Sequence, residues 1–236
     1  MKNNEPRPDR PIAGFERKAA WISCYAGGVF VLLLVGLHVI EPEYDPTWRF
    51  VSEYALGRFG WVMSVAFSAL AISLLSTVVA IARHVRTVAG YIGLVIIAIA
   101  AIGLLIAAVF VTDPITTAPD AYSVSGRMHV LGASLDWSPI GMVLSGWAVS
   151  RTAGWRRHRR VLLLSAALPV VLTLAFTAAL PHDGHYGPGV YAGLIGRIML
   201  VSYLGWIFTG SRLVLSLSPA QAQPSLVNHA ATTPQQ

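Results

Sequence analysis

Long apolar runs separated by short polar segments dominate the pattern of this chain. Six stand out, at about 19–40, 61–82, 88–111, 129–150, 161–180 and 190–215. Each holds about 20 residues or more, which at about 1.5 Å per residue spans a hydrocarbon core about 30 Å thick. A backbone in lipid finds no water for its amides and carbonyls, so each run is predicted to be a helix. The pattern predicts an all-α integral membrane bundle of six helices over residues 19–215. Residues 1–18 are a polar N-terminal segment without an apolar core of their own. Residues 216–236, rich in Ala, Gln, Pro and Ser, are predicted to be a disordered tail. The first run is too long for a cleavable signal, and no small-residue cleavage site follows it.

Charge adds the orientation. Only 12% of the residues are charged, against roughly 25% in an ordinary soluble domain, so most of the surface is predicted to avoid water. With the N-terminus placed inside, thirteen of the seventeen Lys and Arg residues fall on the inner side and three (Arg49, Arg58, Arg127) on the outer. The positive-inside rule then puts both termini in the cytoplasm. The basic loop 151–160 is a topology anchor facing anionic lipid, so the net charge of +6 does not call for a nucleic-acid partner. The partners this predicts are the bilayer itself and a small-molecule or lipid ligand. The single cysteine, Cys24, excludes an intramolecular disulfide.

Chemistry gathers on the outer side. Seven of the eleven acidic residues lie in the segments 41–60, 112–128 and 181–189, together with His182 and His185. Two ionisable residues lie deeper, Asp136 in the fourth run and Arg197 in the sixth. Each is about seven residues from the outer end of its helix, or roughly 10 Å down. A charge at that depth costs several kcal/mol unless paired or hydrated. His129 and Asp136 are seven apart and share a helix face, and Pro139 is predicted to kink the helix just below them. The expectation is a pocket open to the outside, lined by His129, Asp136 and Arg197. An Asp136–Arg197 ion pair that only fixes helix register is the other reading of the same residues.

Zinc is the alternative cofactor, since His129, His182, His185 and Asp113 are suitable ligand types. The stretch His182-Asp183-Gly184-His185 lacks the spacing that sets two imidazoles on one helix face, and Gly- and Pro-rich loops use such residues for turns, so no cofactor is favoured. His38 and His129 lie near the outer ends of their helices, where a haem would need a further pair across the membrane. Trp21, Trp61, Trp206, Tyr91 and Tyr191 fit an aromatic belt, and Gly189-x-x-x-Gly193 a small-residue packing surface. Nothing in these motifs decides between an enzyme and a binding protein.

The order of short motifs carries a resemblance. Asp45-Pro46, Val51-Ser52-Glu53-Tyr54-Ala55-Leu56-Gly57, Gly60-Trp61, Asp113-Pro114 and Gly126-x-x-His129 resemble a prokaryotic membrane family of unknown function, domain of unknown function 998, over roughly residues 19–215. The resemblance implies a prokaryotic plasma membrane and singles out Asp45, Ser52, Glu53, Gly57, Asp113 and His129 as positions to test. A more distant similarity, Ser125-x-x-x-His129 with Asp113, is to the CREST membrane hydrolases. It implies a metal-dependent hydrolase acting on lipid, although His182 and His185 are spaced one residue too closely for that pattern.

Overall fold

The computed structural model describes residues 11–217, so residues 1–10 and nearly all of the tail expected from 216 onward lie outside the described residues. Among the described residues every regular element is helical. They are α1 (Gly14–Ile40), α2 (Gly60–Ile81), α3 (Val88–Val109), α4 (Val124–Ser134), α5 (Ser138–Val149), α6 (Ala153–Arg156), α7 (Arg159–Ala178) and α8 (Ala192–Ser216), with short 3₁₀ turns at Val51–Leu56, Ala82–His84 and Pro119–Ala121. Five helices are long and apolar enough to cross a membrane: α1, α2 with the turn that ends it, α3, α7 and α8.

The fourth expected span is the exception, since it is two helices rather than one. The chain breaks at Leu135-Asp136-Trp137, and the cause is local chemistry. The Leu135 and Asp136 amides turn back to the Gly132 and Ala133 carbonyls, tightening the last turn of α4. Pro139 has no amide to continue the ladder and suits only the first turn of a new helix. Asp136 Oδ1 accepts from the Ser138 amide at 3.2 Å and from its hydroxyl at 2.6 Å, capping α5 from just outside. At the other end α4 begins five residues before the apolar run, because Ser123 caps it by accepting from the Gly126 amide at 2.9 Å.

The helices close into a ring. α1 packs on α2, α2 on α3, α3 on both α4 and α5, α5 on α7, α7 on α8, and α8 back on α1 and α2. α3 crosses its two neighbours at paired glycines. A Cβ on Gly103 would overlap the Gly132 carbonyl, and one on Gly93 or on Gly141 would come 2.7 Å from the other's carbonyl oxygen. Such backbone approach is how helices gain contact in lipid, where apolar side chains are as well solvated as when packed. On the other side of the ring, Ser23 Oγ meets Thr77 Oγ1 at 2.7 Å and Ser73 Oγ donates to the Ser23 carbonyl at 2.8 Å. Hydroxyl pairs of this kind contribute about 0.6 kcal/mol in membrane helices. Ser23→Ala is therefore expected to lower the unfolding midpoint in detergent only slightly, by less than about 1 kcal/mol equivalent.

Apolar side chains such as Leu32, Val39, Leu164 and Leu174 point outward, as a lipid-facing surface requires, while Phe30, Met63, Leu74, Ile97 and Ile207 fill the centre. Of the five aromatics expected at the interfaces, four are exposed, but Trp206 is 1% exposed and belongs to the core. At the end bearing the basic loops, Glu16 is buried, accepts from the Ala13 amide at 2.5 Å and lies 3.5 Å from His84, whose ring packs on Trp155. The opposite end carries the three acidic loops, which touch one another. The Ile115 amide donates to Glu53 at 3.0 Å, the Leu194 amide to the Thr47 carbonyl at 2.9 Å, and Phe50 meets Tyr186 ring to edge.

Candidate functional site

Most of the acidic groups at this end are already used as staples for the loop backbone. Asp45 Oδ1 accepts from the Thr47 amide at 2.8 Å and from its hydroxyl at 2.6 Å. The two Thr47 bonds, hydroxyl first, hold the Asp45 carboxyl below the usual range. Glu53 is 1% exposed and reaches back to the Phe50 amide at 3.1 Å, which closes the 3₁₀ turn. Its Oε1 takes both Arg49 Nη1 at 2.6 Å and the Ile115 amide, so one carboxylate ties the first loop to the second. Glu41, also buried, accepts from the Phe59 amide at 2.6 Å. Gly57 is packed against that carboxyl so closely that a Cβ would overlap it. Asp113 does the same for the second loop, with Oδ2 accepting from the Ser123 amide at 2.8 Å, and a Cβ on Gly126 would overlap it.

Arg197 is a second kind of staple. Its Nη1 donates to the Arg49, Pro46 and Gly193 carbonyls at 2.7, 3.1 and 3.1 Å, and its Nε donates to His38 Nε2 at 2.8 Å. The guanidinium stands over the Tyr54 ring. His38 in turn bonds the Leu34 carbonyl through Nδ1 at 2.7 Å. A carbonyl only accepts and an arginine only donates, so His38 is neutral with its hydrogen on Nδ1. Both ring nitrogens are thereby taken, which leaves none for a haem iron. Gly193 packs on the first loop, against the Arg49 carbonyl, rather than against another helix.

No ion pair joins Arg197 to Asp136 among the described residues. The Arg197 side chain turns up to the first loop, whereas Asp136 meets Tyr203 deeper along α8. Asp136 and His129 do come together, on a cavity of about 320 Å³ between α3, α4, α7 and α8. α8 contributes Gly193, Gly196, Met199, Leu200 and Tyr203 to its wall, but not Arg197. The carboxyl of Asp136 is open to this cavity although it lies deep among the helices. Beside it the Tyr203 hydroxyl meets Thr173 Oγ1 at 3.2 Å. A second cavity of about 200 Å³ lies under the loops, and the two share Phe50, Ser52, His129 and Ala133 in their walls. His129 Nδ1 bonds the Phe110 carbonyl at 2.8 Å. That bond places the hydrogen on Nδ1 and leaves Nε2 as an acceptor when the ring is neutral.

The family profile described as "Protein of unknown function (DUF998)" matches residues 16–212, which takes in both cavities and all three loops. The chain belongs to the DUF998 family. No curated protein matches it, and no solved structure does.

Asp45, Glu53, Gly57 and Asp113 thus shape the loop end, and Ser52 and His129 line both cavities beneath it, with Glu53 and Asp113 on the wall of the second. The four candidate zinc ligands are not assembled. Among the described residues no three His, Cys, Asp or Glu side chains gather closely enough to hold a metal ion. His185 lies in an exposed loop beside Asp183, whose carboxyl is held below its usual range chiefly by the His185 amide. Ser125, which opens the hydrolase-like motif, donates to the Val111 carbonyl at 2.8 Å. Sequence reasoning missed Thr173 and Tyr203, isolated hydroxyls within apolar runs, and the crossing glycines of α3, which no i,i+4 motif marks.

Proposed function

We propose that this DUF998 protein is a multi-pass protein of a prokaryotic plasma membrane that binds or moves a small amphiphilic molecule or lipid. The two cavities at the loop end are the binding pocket. In this reading the chain crosses six times, with α4 and α5 together forming the fourth crossing, and both termini are cytoplasmic. The excess of Lys and Arg at the end opposite the acidic loops supports that orientation. The pocket then faces outward.

One observation carries the reading. α5 packs against α7, while α4 has no comparable packing against α7 or α8. The break at 135–137 lets α4 swing away, so the ring is closed in one half and splayed in the other. The gap is largely apolar, with Asp136, His129, Tyr203 and the hydroxyls of Ser52, Thr173 and Thr177 as its polar groups. An apolar cavity with a few convergent polar groups, of about 300 Å³ or more, is the ordinary form of a small-molecule site. No comparable observation favours the metal-dependent hydrolase.

Ala133 borders both cavities, so Ala133→Trp is expected to fill them. Native mass spectrometry from a mild neutral detergent should show bound lipid or amphiphile on the wild type and none on the variant. Equal occupancy on both would overturn the pocket. The orientation has its own test in a Cys24→Ala background. A cysteine at Asp120 should react with an impermeant maleimide on intact cells, and one at Arg157 should not; the reverse would invert the topology.

A further inference from the structure

We infer that the pocket takes a cationic amphiphile, an apolar body carrying a protonated amine that sits on Asp136. This rests on the pocket proposed above and adds the chemistry of its occupant. Every formal charge on the walls of the two cavities is negative, from Asp136, Glu53 and Asp113, and no Lys or Arg lines either one. The three acids are not equivalent. Glu53 is matched by Arg49 and by two amides, and Asp113 serves the backbone of its own loop. Asp136 has only the amide and hydroxyl of Ser138 and the neighbouring Tyr203 hydroxyl, with no cation near it. A carboxylate at that depth is costly until a positive charge joins it.

The two arginines closest to the pocket cannot supply that charge. Arg197 is pinned to three carbonyls and His38, and Arg49 to Glu53 and the Trp48 ring. His129 is turned to the Phe110 and Ala107 carbonyls and makes no ion pair with Asp136. Apart from a few hydroxyls, the remaining wall is aromatic and aliphatic, with Phe50 against Phe176 at 5.6 Å and Phe67 against His129 at 6.2 Å. Ring faces attract an organic cation and do nothing for an anion. An anionic amphiphile would meet Asp136 and Asp113 with no Lys or Arg on the cavity walls, and a Glu53 whose only cation is the Arg49 it already holds. A lipid phosphate alone is thereby disfavoured, whereas an amine-bearing amphiphile is matched at both its ends.

Three amphiphiles with one chain length test this: dodecylamine, dodecanol and dodecanoate, each titrated into the full-length protein in neutral detergent and followed by native mass spectrometry. The amine is expected to bind about tenfold or more tighter than the alcohol, as a hydrogen bond to a charged group warrants, and the acid most weakly. Asp136→Asn should abolish the difference between amine and alcohol, and an unfolding midpoint close to that of the wild type shows that the variant is folded. Asp136→Glu should restore the preference. Equal binding of all three to the wild type, or an amine preference that survives Asp136→Asn, would overturn this inference and leave the pocket standing. If none of the three binds, or Ala133→Trp displaces none, the pocket itself fails.

Discussion

Gly103→Val is expected to lower stability by about 3 kcal/mol, the upper range for forcing bulk into a packed site. The reason is that its side chain would grow into backbone. A Cβ at Gly103 would overlap the Gly132 carbonyl, and the Leu135 side chain lies just beyond, so no rotamer change relieves it. α3 and α4 would have to separate along a contact that both helices reserve for glycine. α4 has little else to hold it, since its partner in packing is α3. The loss should appear as a fall in the unfolding midpoint in detergent, and as a wider or collapsed pocket that no longer retains its occupant. Gly205 provides the control, with nothing within 4 Å of a Cβ built on it. Gly205→Ala is expected to stay within about 0.5 kcal/mol of the wild type. If Gly103→Val unfolds at the same temperature as Gly205→Ala, the crossing is not as close as described.

Glu53→Ala is expected to cost about 3–5 kcal/mol, as breaking a buried ion pair does when one charge remains. Glu53 has three partners at once: Arg49 at 2.6 Å, the Ile115 amide at 3.0 Å and the Phe50 amide at 3.1 Å. Truncation leaves a guanidinium and two amides without their acceptor, and removes the link between the first and second loops. Phe50, Val51 and Ser52 form part of the cavity wall, so ligand retention should fall together with stability. Amide exchange at Ile115 should rise sharply, a readout that a general loosening of the helices would not single out. Glu53→Gln keeps an acceptor for the amides and should lie between the wild type and Glu53→Ala. Asp183 is 69% exposed and bonds only within its own loop, so Asp183→Ala should be silent.

The two predictions touch different levels of legibility. Glu53 and Asp113 stood out in the sequence through a family resemblance and as polar residues massed at one end, yet their roles did not. A carboxylate that caps a turn, one that bridges two loops and one that awaits a ligand have the same letter. What distinguishes them is the set of amides and cations that arrive from elsewhere in the chain, such as Ile115, sixty-two residues from Glu53. Arg197 makes the same point. Its depth followed from counting residues along a helix at 1.5 Å each. Its direction did not, because a helix apolar on nearly every side carries no strong mark of which face looks inward. Asp136 meets Tyr203, six residues further from the loop end of α8 than Arg197, while the Arg197 side chain turns up to the first loop, so the two differ in depth as well as in direction.

What the amino-acid order determined by itself is the membrane character of the chain, the long apolar helices and the clustering of polar chemistry at one end. These depend on local properties, namely run length, hydropathy and charge, which act on each segment without reference to its neighbours. The break of the fourth span was also within reach, since Pro139 and the capping Asp136 lie next to each other in the chain. Only the tertiary structure decided which helices touch, that glycines carry the crossing of α3, and that α4 stands away from α7. It alone decided that His129 and Asp136 share a cavity while Arg197 holds the first loop instead. The reason is that rotation and pairing of helices are set by the fit of surfaces distant in sequence. Inside a bilayer, a uniform apolar pattern says almost nothing about that fit.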